Sequence, residues 1–167
     1  MLALSAVAPA AWAAPAVTSQ LEVRQVVIES GRELLKPASA ARPGDLLQYR
    51  AVYSNSGNQP AGHLLASLPV PPGTTLQSSG IEPGGAQATL DGNHFAPMPL
   101  MRSVVGKDGQ LQQQPVPLSE IRALRWDLGT LAPRETRAVQ LRVHVNQPIP
   151  APAAAKPAPI TGAKTSP

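Results

Sequence analysis

The sequence predicts an all-β fold, and three observations support this prediction. Twenty of the 167 residues are proline, and each proline inside a helix costs that helix about 3 kcal/mol. Apolar residues between 21 and 146 tend to recur at every second position, the spacing of a half-buried antiparallel strand. Segments rich in glycine, proline, asparagine and aspartate separate these runs. Many short strands with such turns predict an antiparallel β-sandwich of the immunoglobulin-like type.

The predicted strands follow one another along the chain, and the last of them has the clearest pattern. In that run Val139, Leu141 and Val143 share one face, while polar residues occupy the other. The run 46–54 carries apolar residues on both faces, which predicts a central strand. We predict strands at 21–29, 46–54, 62–68, 74–78, 86–90, 102–105, 110–113, 121–128 and 135–145.

The core of such a sandwich has few large side chains to use, because only 3% of the residues are aromatic. We therefore expect much of the apolar burial to come from four residues: Trp126, Tyr49, Tyr53 and Phe95. Short helical turns are expected only at 33–36 and 118–121.

We predict a long inserted loop or hairpin at residues 80–118, and we call this segment the insert. The insert is rich in glycine and proline, and Gly106-Lys107-Asp108-Gly109 within it has the chemistry of a tight hairpin turn. Long loops carry recognition more often than short ones. The sequence leaves open whether the insert binds a partner or is a passive insertion.

Both ends of the chain differ in composition from the strands. Residues 1–20 are small and apolar with no charge, which predicts an export signal with cleavage near Ala13; a plain apolar strand or linker is the alternative. Residues 147–167 are rich in proline and alanine and predict a disordered tail or spacer. Residues 21–146 are then the folded domain, and the expected location is the periplasm or cell surface of a bacterium.

Charge, cysteine content and hydropathy exclude several classes of protein. The formal net charge is +4, and Lys156 and Lys164 of the tail supply half of it. Because no cluster of basic residues is interleaved with aromatics, nucleic-acid binding is not expected, whereas a protein partner or an anionic envelope polymer is compatible. The chain has no cysteine, so it has no disulfides and no thiolate zinc site. No apolar run approaches the ~20 residues of a membrane-spanning helix.

Three stretches together resemble one known family. Residues 42–57 (RPGDLLQYRAVYSNSG) resemble its opening motif, 68–75 (LPVPPGTT) its proline-rich turn, and 124–145 (LRWDLGTLAPRETRAVQLRVHV) its closing motif. The family is the "conserved repeat" domain of bacterial surface and secreted proteins, the eleventh family of domains of unknown function. The chain resembles a single-copy variant of it, with an acidic residue missing before Leu68-Pro69.

The resemblance implies an immunoglobulin-like sandwich, export, and a structural or adhesive role without assigned catalysis. It also directs attention to seven structural positions: Gly44, Asp45, Tyr49, Asn55, Gly57, Trp126 and Gly129. The residues themselves support turn roles for the motifs: a turn at 43–45, positive φ at 55–57 and a change of direction at 128–131.

The search for catalytic and ligand-binding patterns predicts a protein that is not an enzyme and has no cofactor. The histidines His63, His94 and His144 match no zinc spacing, and no nucleophile-base pattern is recognisable. His94, Met98 and Met101 are candidate copper(I) ligands, because imidazole and thioether are soft donors. The favoured interpretation is that the two methionines fill space beneath a loop.

A covalent isopeptide between Lys36 and either Asn55 or Asn146 is a further possibility, but it needs a buried acidic residue beside the pair, and the sequence places none clearly there. A lysine is more often simply solvated. The function predicted from the sequence is thus a non-catalytic exported envelope protein that serves as a structural or protein-interaction module. A periplasmic metal-handling or chaperone-like binding protein is the alternative.

Overall fold

The computed structural model describes residues 16–147 and is nearly all β, which confirms the all-β part of the prediction. The predicted cleavage site and most of the predicted tail lie outside the described residues. In chain order the strands are β1 (Val17–Glu29), β2 (Arg32–Pro37), β3 (Leu46–Asn55), β4 (Ala61–Pro69), β5 (Thr74–Glu82), β6 (Gln87–Thr89), β7 (Ala96–Pro97), β8 (Met101–Val105), β9 (Leu111–Pro115), β10 (Ala123–Leu131) and β11 (Thr136–Val145). A single 3₁₀ turn, Leu118–Glu120, precedes β10 among these residues.

The strands form two main sheets and one separate pair, and every neighbouring pair of strands is antiparallel. The first sheet has the order β2-β1-β3-β11-β5, and the second has the order β4-β10-β6-β7. Strands β8 and β9 form a two-stranded hairpin of their own. The final strand β11 therefore lies between β3 and β5, whereas its predecessor β10 lies in the other sheet.

Inward-facing side chains from both sheets form one hydrophobic core. The alternation predicted for the last strand is confirmed, because Val139, Leu141 and Val143 are all buried. They lie in one cluster with Leu124 and Trp126 of β10 in the opposite sheet. Two antiparallel sheets that share a core have the architecture of an all-β sandwich.

Of the four residues expected to dominate the core, only Trp126 is buried. Its exposed fraction is 2%. Tyr49 and Tyr53 are half-buried against the same cluster, and burial raises the pKa of the Tyr49 hydroxyl. Phe95 lies elsewhere, with the Arg125 guanidinium 4.0 Å from its ring centre. The smaller aliphatic residues therefore make up most of the core.

The structure departs from the predicted elements at the N-terminal edge. Strand β1 begins at Val17, inside the stretch assigned to the export signal. The helical turn expected at 33–36 is wrong, since these residues belong to strand β2. Ser30 and Gly31 connect β1 to β2 and have φ angles of 52° and 76°, which is the two-residue hairpin turn that matches strand twist. The turn expected at 118–121 is present as the 3₁₀ turn.

Candidate functional site

The Pro-Gly-Asp motif forms a turn that fastens the start of β3 to the end of β11. Gly44 has a φ of 91°, which favours glycine. Asp45 closes the turn, because its carboxylate accepts a hydrogen bond from the Arg42 backbone N–H at 2.7 Å. The Gly44 N–H then donates to the Val145 carbonyl at 2.8 Å. These two motif residues are thus placed in a structural role.

Asn55 is a buried hydrogen-bonding hub at the other end of β3. It is 1% exposed, and its amide donates to the carbonyls of Gln59 at 2.7 Å and Leu131 at 3.1 Å. Its side-chain oxygen accepts from the Gly57 N–H at 3.1 Å. The positive φ expected at 55–57 is wrong, because Asn55 joins these segments through its side chain and does so from extended backbone.

The proposed isopeptide partners of Lys36 lie apart from it. The Lys36 ammonium forms an ion pair with Glu29 of the adjacent strand β1. Asn55 is engaged with backbone carbonyls as described above, and Asn146 accepts a hydrogen bond from the Thr75 hydroxyl at 2.8 Å.

Gly129 sits at a β-bulge between β10 and β4. Its φ is 63°, its N–H donates to the Asp127 carboxylate at 2.8 Å, and the strand register shifts on both sides of it. On the facing strand His63 also has a positive φ, 55°. Bulges of this kind bend a strand locally, so Gly129 shapes the sheet and is not a change of direction between strands.

Trp126 connects the core to the insert. Its indole N–H donates to the Pro83 carbonyl at 2.8 Å, and a buried Trp N–H requires such a partner. Within the insert, the Met98 N–H donates to the Ala86 carbonyl at 3.3 Å. The beginning of the insert is therefore held against the sandwich.

The insert contains regular structure as well as loops. Its strand β6 adds to β10, and the short β7 pairs with β6. The β8–β9 hairpin continues beyond them, and its pairing extends through the Val116 N–H, which donates to the Leu100 carbonyl at 2.8 Å. Arg102 on this hairpin makes two hydrogen bonds to Glu120, at 2.9 and 3.1 Å. The hairpin base is thus tied to the 3₁₀ turn.

The far end of the β8–β9 hairpin exposes apolar side chains. Val105 and Leu111 lie opposite each other in the register, and they are 70% and 76% exposed. Every residue of β9 is exposed, and none is charged. A neutral, exposed edge strand can accept a strand from another chain, because charges are among the features that block such pairing.

A first depression lies where the insert leaves β5, and we call it the Met98 depression. Its volume is about 390 Å³, which lies within the usual range for small-molecule pockets. Its walls are mainly apolar and include Ile81, Gly84, Gly85, Pro97, Met98 and Leu118. Met98 is half-buried against the core, as expected of a side chain that fills space beneath the insert. The same expectation is wrong for Met101, which is 51% exposed.

A second depression, the His94 depression, lies at the base of the hairpin. Its volume is about 260 Å³, and its lining includes Leu90, Asp91, His94, Leu100, Met101 and Arg102. The His94 side chain is 92% exposed, and its Nδ1 lies 2.6 Å from Asp91 Oδ2. The other carboxylate oxygen accepts from the Thr89 hydroxyl at 2.9 Å and from the His94 N–H at 2.9 Å.

These contacts shift the pKa values of both partners. The hydrogen bond from His94 is the main cause that lowers the pKa of Asp91 below its usual range. The same bond, with the charge of Asp91, raises the pKa of His94. The pair thus favours a carboxylate beside an imidazolium at mildly acidic pH.

The three candidate copper ligands, His94, Met98 and Met101, do not all line the same depression. His94 and Met101 line the same depression, whereas Met98 lines the other. Within residues 16–147 no group of three His, Asp or Glu residues is arranged to hold a metal ion. The sequence analysis missed the Asp91–His94 pair. An aspartate three residues before a histidine, with glycine and asparagine between them, was the available signal of a turn that brings the two side chains together.

Comparisons with family models, curated proteins and solved structures gave no match to this chain. No helix in the described part of the chain is long and apolar enough to cross a membrane.

Proposed function

We propose that this chain is a non-catalytic exported protein of the bacterial cell envelope that acts as a structural or protein-interaction module. The observation that carries the proposal is the β8–β9 hairpin. It leaves the sandwich with Val105 and Leu111 exposed at its far end and with a charge-free edge strand, β9. Both features suit contact with another polypeptide.

The hairpin is also small for a structure that stands alone. Two-stranded hairpins are marginally stable in water unless a third strand or another layer supports them. In residues 16–147, strands β8 and β9 pair with each other alone, and the Arg102–Glu120 ion pair fastens only the base. A protein partner that adds a strand along β9 would supply the missing support.

We further infer that the sandwich is a variant of the immunoglobulin-like type. Seven main strands, in chain order β1, β3, β4, β5, β6, β10 and β11, correspond in number to those of a constant-type domain. There the first, second, fifth and fourth strands form one sheet. Here the seventh strand takes the place of the fifth, and the fifth joins the third and sixth. The two arrangements differ by this exchange.

Membership of the conserved-repeat family belongs to the same proposal. Its support is that the motif residues occupy defined structural positions: Gly44 and Asp45 fasten β11, Asn55 bridges two turns, and Trp126 anchors the insert. Motifs that build turns and a core are what a structural module requires.

Site-specific cross-linking tests the protein-interaction role. A photoreactive residue at Leu111, on the hairpin, is expected to give one discrete adduct in an envelope extract of the source bacterium. The matched control is Leu65 on β4, which is also an exposed leucine on an edge strand, and no such adduct is expected there. Equal labelling at both positions, or none at Leu111, would contradict the proposal.

Export is tested separately by N-terminal sequencing of the protein recovered from the periplasmic fraction. A chain that begins at Ala14 is expected if cleavage follows Ala13. A chain that retains Met1 and stays in the cytoplasm would remove the exported role.

A further inference from the structure

We propose that His94 and Met101 form a binding site for cuprous ion in the His94 depression. This site is separate from the β9 edge used for protein contact, so each can fail without the other. Imidazole and thioether are the two donors, and both residues line one depression of about 260 Å³.

The carboxylate of Asp91 positions the imidazole for such binding. Asp91 Oδ2 accepts the Nδ1 proton of His94 at 2.6 Å, so this tautomer leaves the Nε2 lone pair free. Metal-binding histidines usually have a carboxylate, carbonyl or water on the other ring nitrogen, which fixes the ring and makes it a better donor. Asp91 is therefore a positioning residue and not a ligand.

Asp91 is itself held in place by its own contacts. Its Oδ1 accepts hydrogen bonds from the Thr89 hydroxyl and from the N–H groups of Asn93 and His94, at 2.8 to 2.9 Å. Both carboxylate oxygens are thus engaged, which disfavours their use by hard cations such as calcium or magnesium.

Met101 determines which metal the site would take. It is the first residue of β8, and it is 51% exposed. A thioether selects soft ions such as copper(I) and is a poor ligand for hard divalent ions. Leu90, Leu100 and Val116 line the same depression, so the walls beside the two donors are mainly apolar and offer no competing hard ligand.

The positive charge of Arg102 beside the His94 depression is neutralised by Glu120. Arg102 also lines the depression, but its guanidinium binds both oxygens of Glu120, at 2.9 and 3.1 Å. A cation at His94 and Met101 therefore meets a neutral pair at this position and not an isolated arginine.

The site differs from the copper set indicated by the sequence because Met98 is excluded from it. Met98 lines the other depression and is half-buried against the core. This separation gives an internal control, since the two methionines can be followed in one experiment.

The experiment is an anaerobic titration of the full chain with cuprous ion, observed by NMR of ¹³C-methyl-labelled methionine. The Met101 methyl signal is expected to shift and to saturate near one equivalent, while the Met98 signal stays in place. In competition with a chromogenic chelator, His94→Ala and Met101→Leu should each weaken binding by about tenfold or more, and Asp91→Ala by about tenfold.

The matched controls are Met98→Leu and His63→Ala, which should bind cuprous ion as the unaltered chain does. His94 and Met101 are exposed, so their variants should keep the melting temperature, which verifies folding. The proposal is overturned if the Met101 signal does not move, if Met98 moves equally, or if Met101→Leu retains full affinity. Zinc in place of cuprous ion should leave the Met101 signal unchanged.

Discussion

The central strands and the β8–β9 hairpin of this protein are stabilised in different ways. Strands β3, β10 and β11 hold side chains with almost no exposure, such as Leu124 and Leu141, and are fastened at both ends by hydrogen bonds between residues far apart in sequence. The β8–β9 hairpin has no buried residue and is held at its base by one ion pair.

Because of this difference, we expect stability and partner recognition to depend on different residues. Burial of apolar area supplies most of the free energy of folding, so substitutions in the central strands should unfold the protein. Substitutions on the exposed hairpin should leave folding unchanged and alter only binding. The β8–β9 hairpin is therefore the region where the sequence can vary to suit a partner.

The largest effect is expected for Trp126→Ala. Removal of this buried side chain should lower the free energy of unfolding by about 3–5 kcal/mol, as for other large-to-small core substitutions. Urea denaturation followed by far-UV circular dichroism measures the change. The matched substitution on the insert, Leu111→Ala, removes a 76% exposed leucine and should change stability by less than about 0.5 kcal/mol.

The substitution Trp126→Phe separates the loss of the indole hydrogen bond from the loss of apolar contact. It keeps most of the apolar contact and removes the N–H donor to the Pro83 carbonyl. Because Pro83 is exposed, water can replace this donor, and the loss should be about 0.5–1.5 kcal/mol, the net contribution of an ordinary hydrogen bond. If Trp126→Ala and Leu111→Ala melted alike, the proposed difference between core and insert would be wrong.

A smaller loss is expected for Asn55→Ala. The substitution removes the amide that binds the Leu131 and Gln59 carbonyls. The Leu131 carbonyl is buried and loses this donor, a cost of about 1–3 kcal/mol. Denaturation in urea again measures the change. Asn58→Ala is the control, because Asn58 is exposed in the same turn and should change stability by less than about 0.5 kcal/mol. Equal losses for both would show that Asn55 has no special role.

The sequence predicted the features that depend on local pattern. Alternation placed Val139, Leu141 and Val143 in the core, and glycine-rich turns located the β8–β9 hairpin. Strand β2 was missed because Glu33 to Lys36, with two leucines between two charges, fits a helical turn as well as a strand. The Ser30-Gly31 pair before it was the overlooked signal.

Features that depend on distant contacts could not be predicted. The role of Asn55 rests on a carbonyl 76 residues away, and no local pattern reports such a partner. The same limit applies to the copper candidates: Met98 and Met101 are close in sequence, yet the path of the insert carries them to different depressions.

The smallest effect is expected for the Asp91–His94 pair, which lies at the exposed base of the hairpin. The hydrogen bond raises the pKa of His94 in the folded chain. The contribution of protonated His94 to stability is therefore complete below the pKa of about 6.5 that histidine has in the unfolded chain, and it is lost as pH rises through the pKa of the folded chain. Asp91 has a lowered pKa, so its contribution is present above about 3.9 and is lost as pH falls through the folded pKa. The local turn should therefore be most stable between these two ordinary values.

NMR titration of the His94 imidazole measures this effect directly. In Asp91→Asn the carboxylate charge is absent, so His94 should titrate at lower pH than in the unaltered chain. Because both side chains are exposed at the surface, solvent screening keeps the contribution to global stability small, and the melting temperature of Asp91→Asn should match that of the unaltered chain. An unchanged His94 titration would show that the pair does not form in solution, whereas a large fall in melting temperature would mean that this part of the insert supports the sandwich and does not merely rest on it.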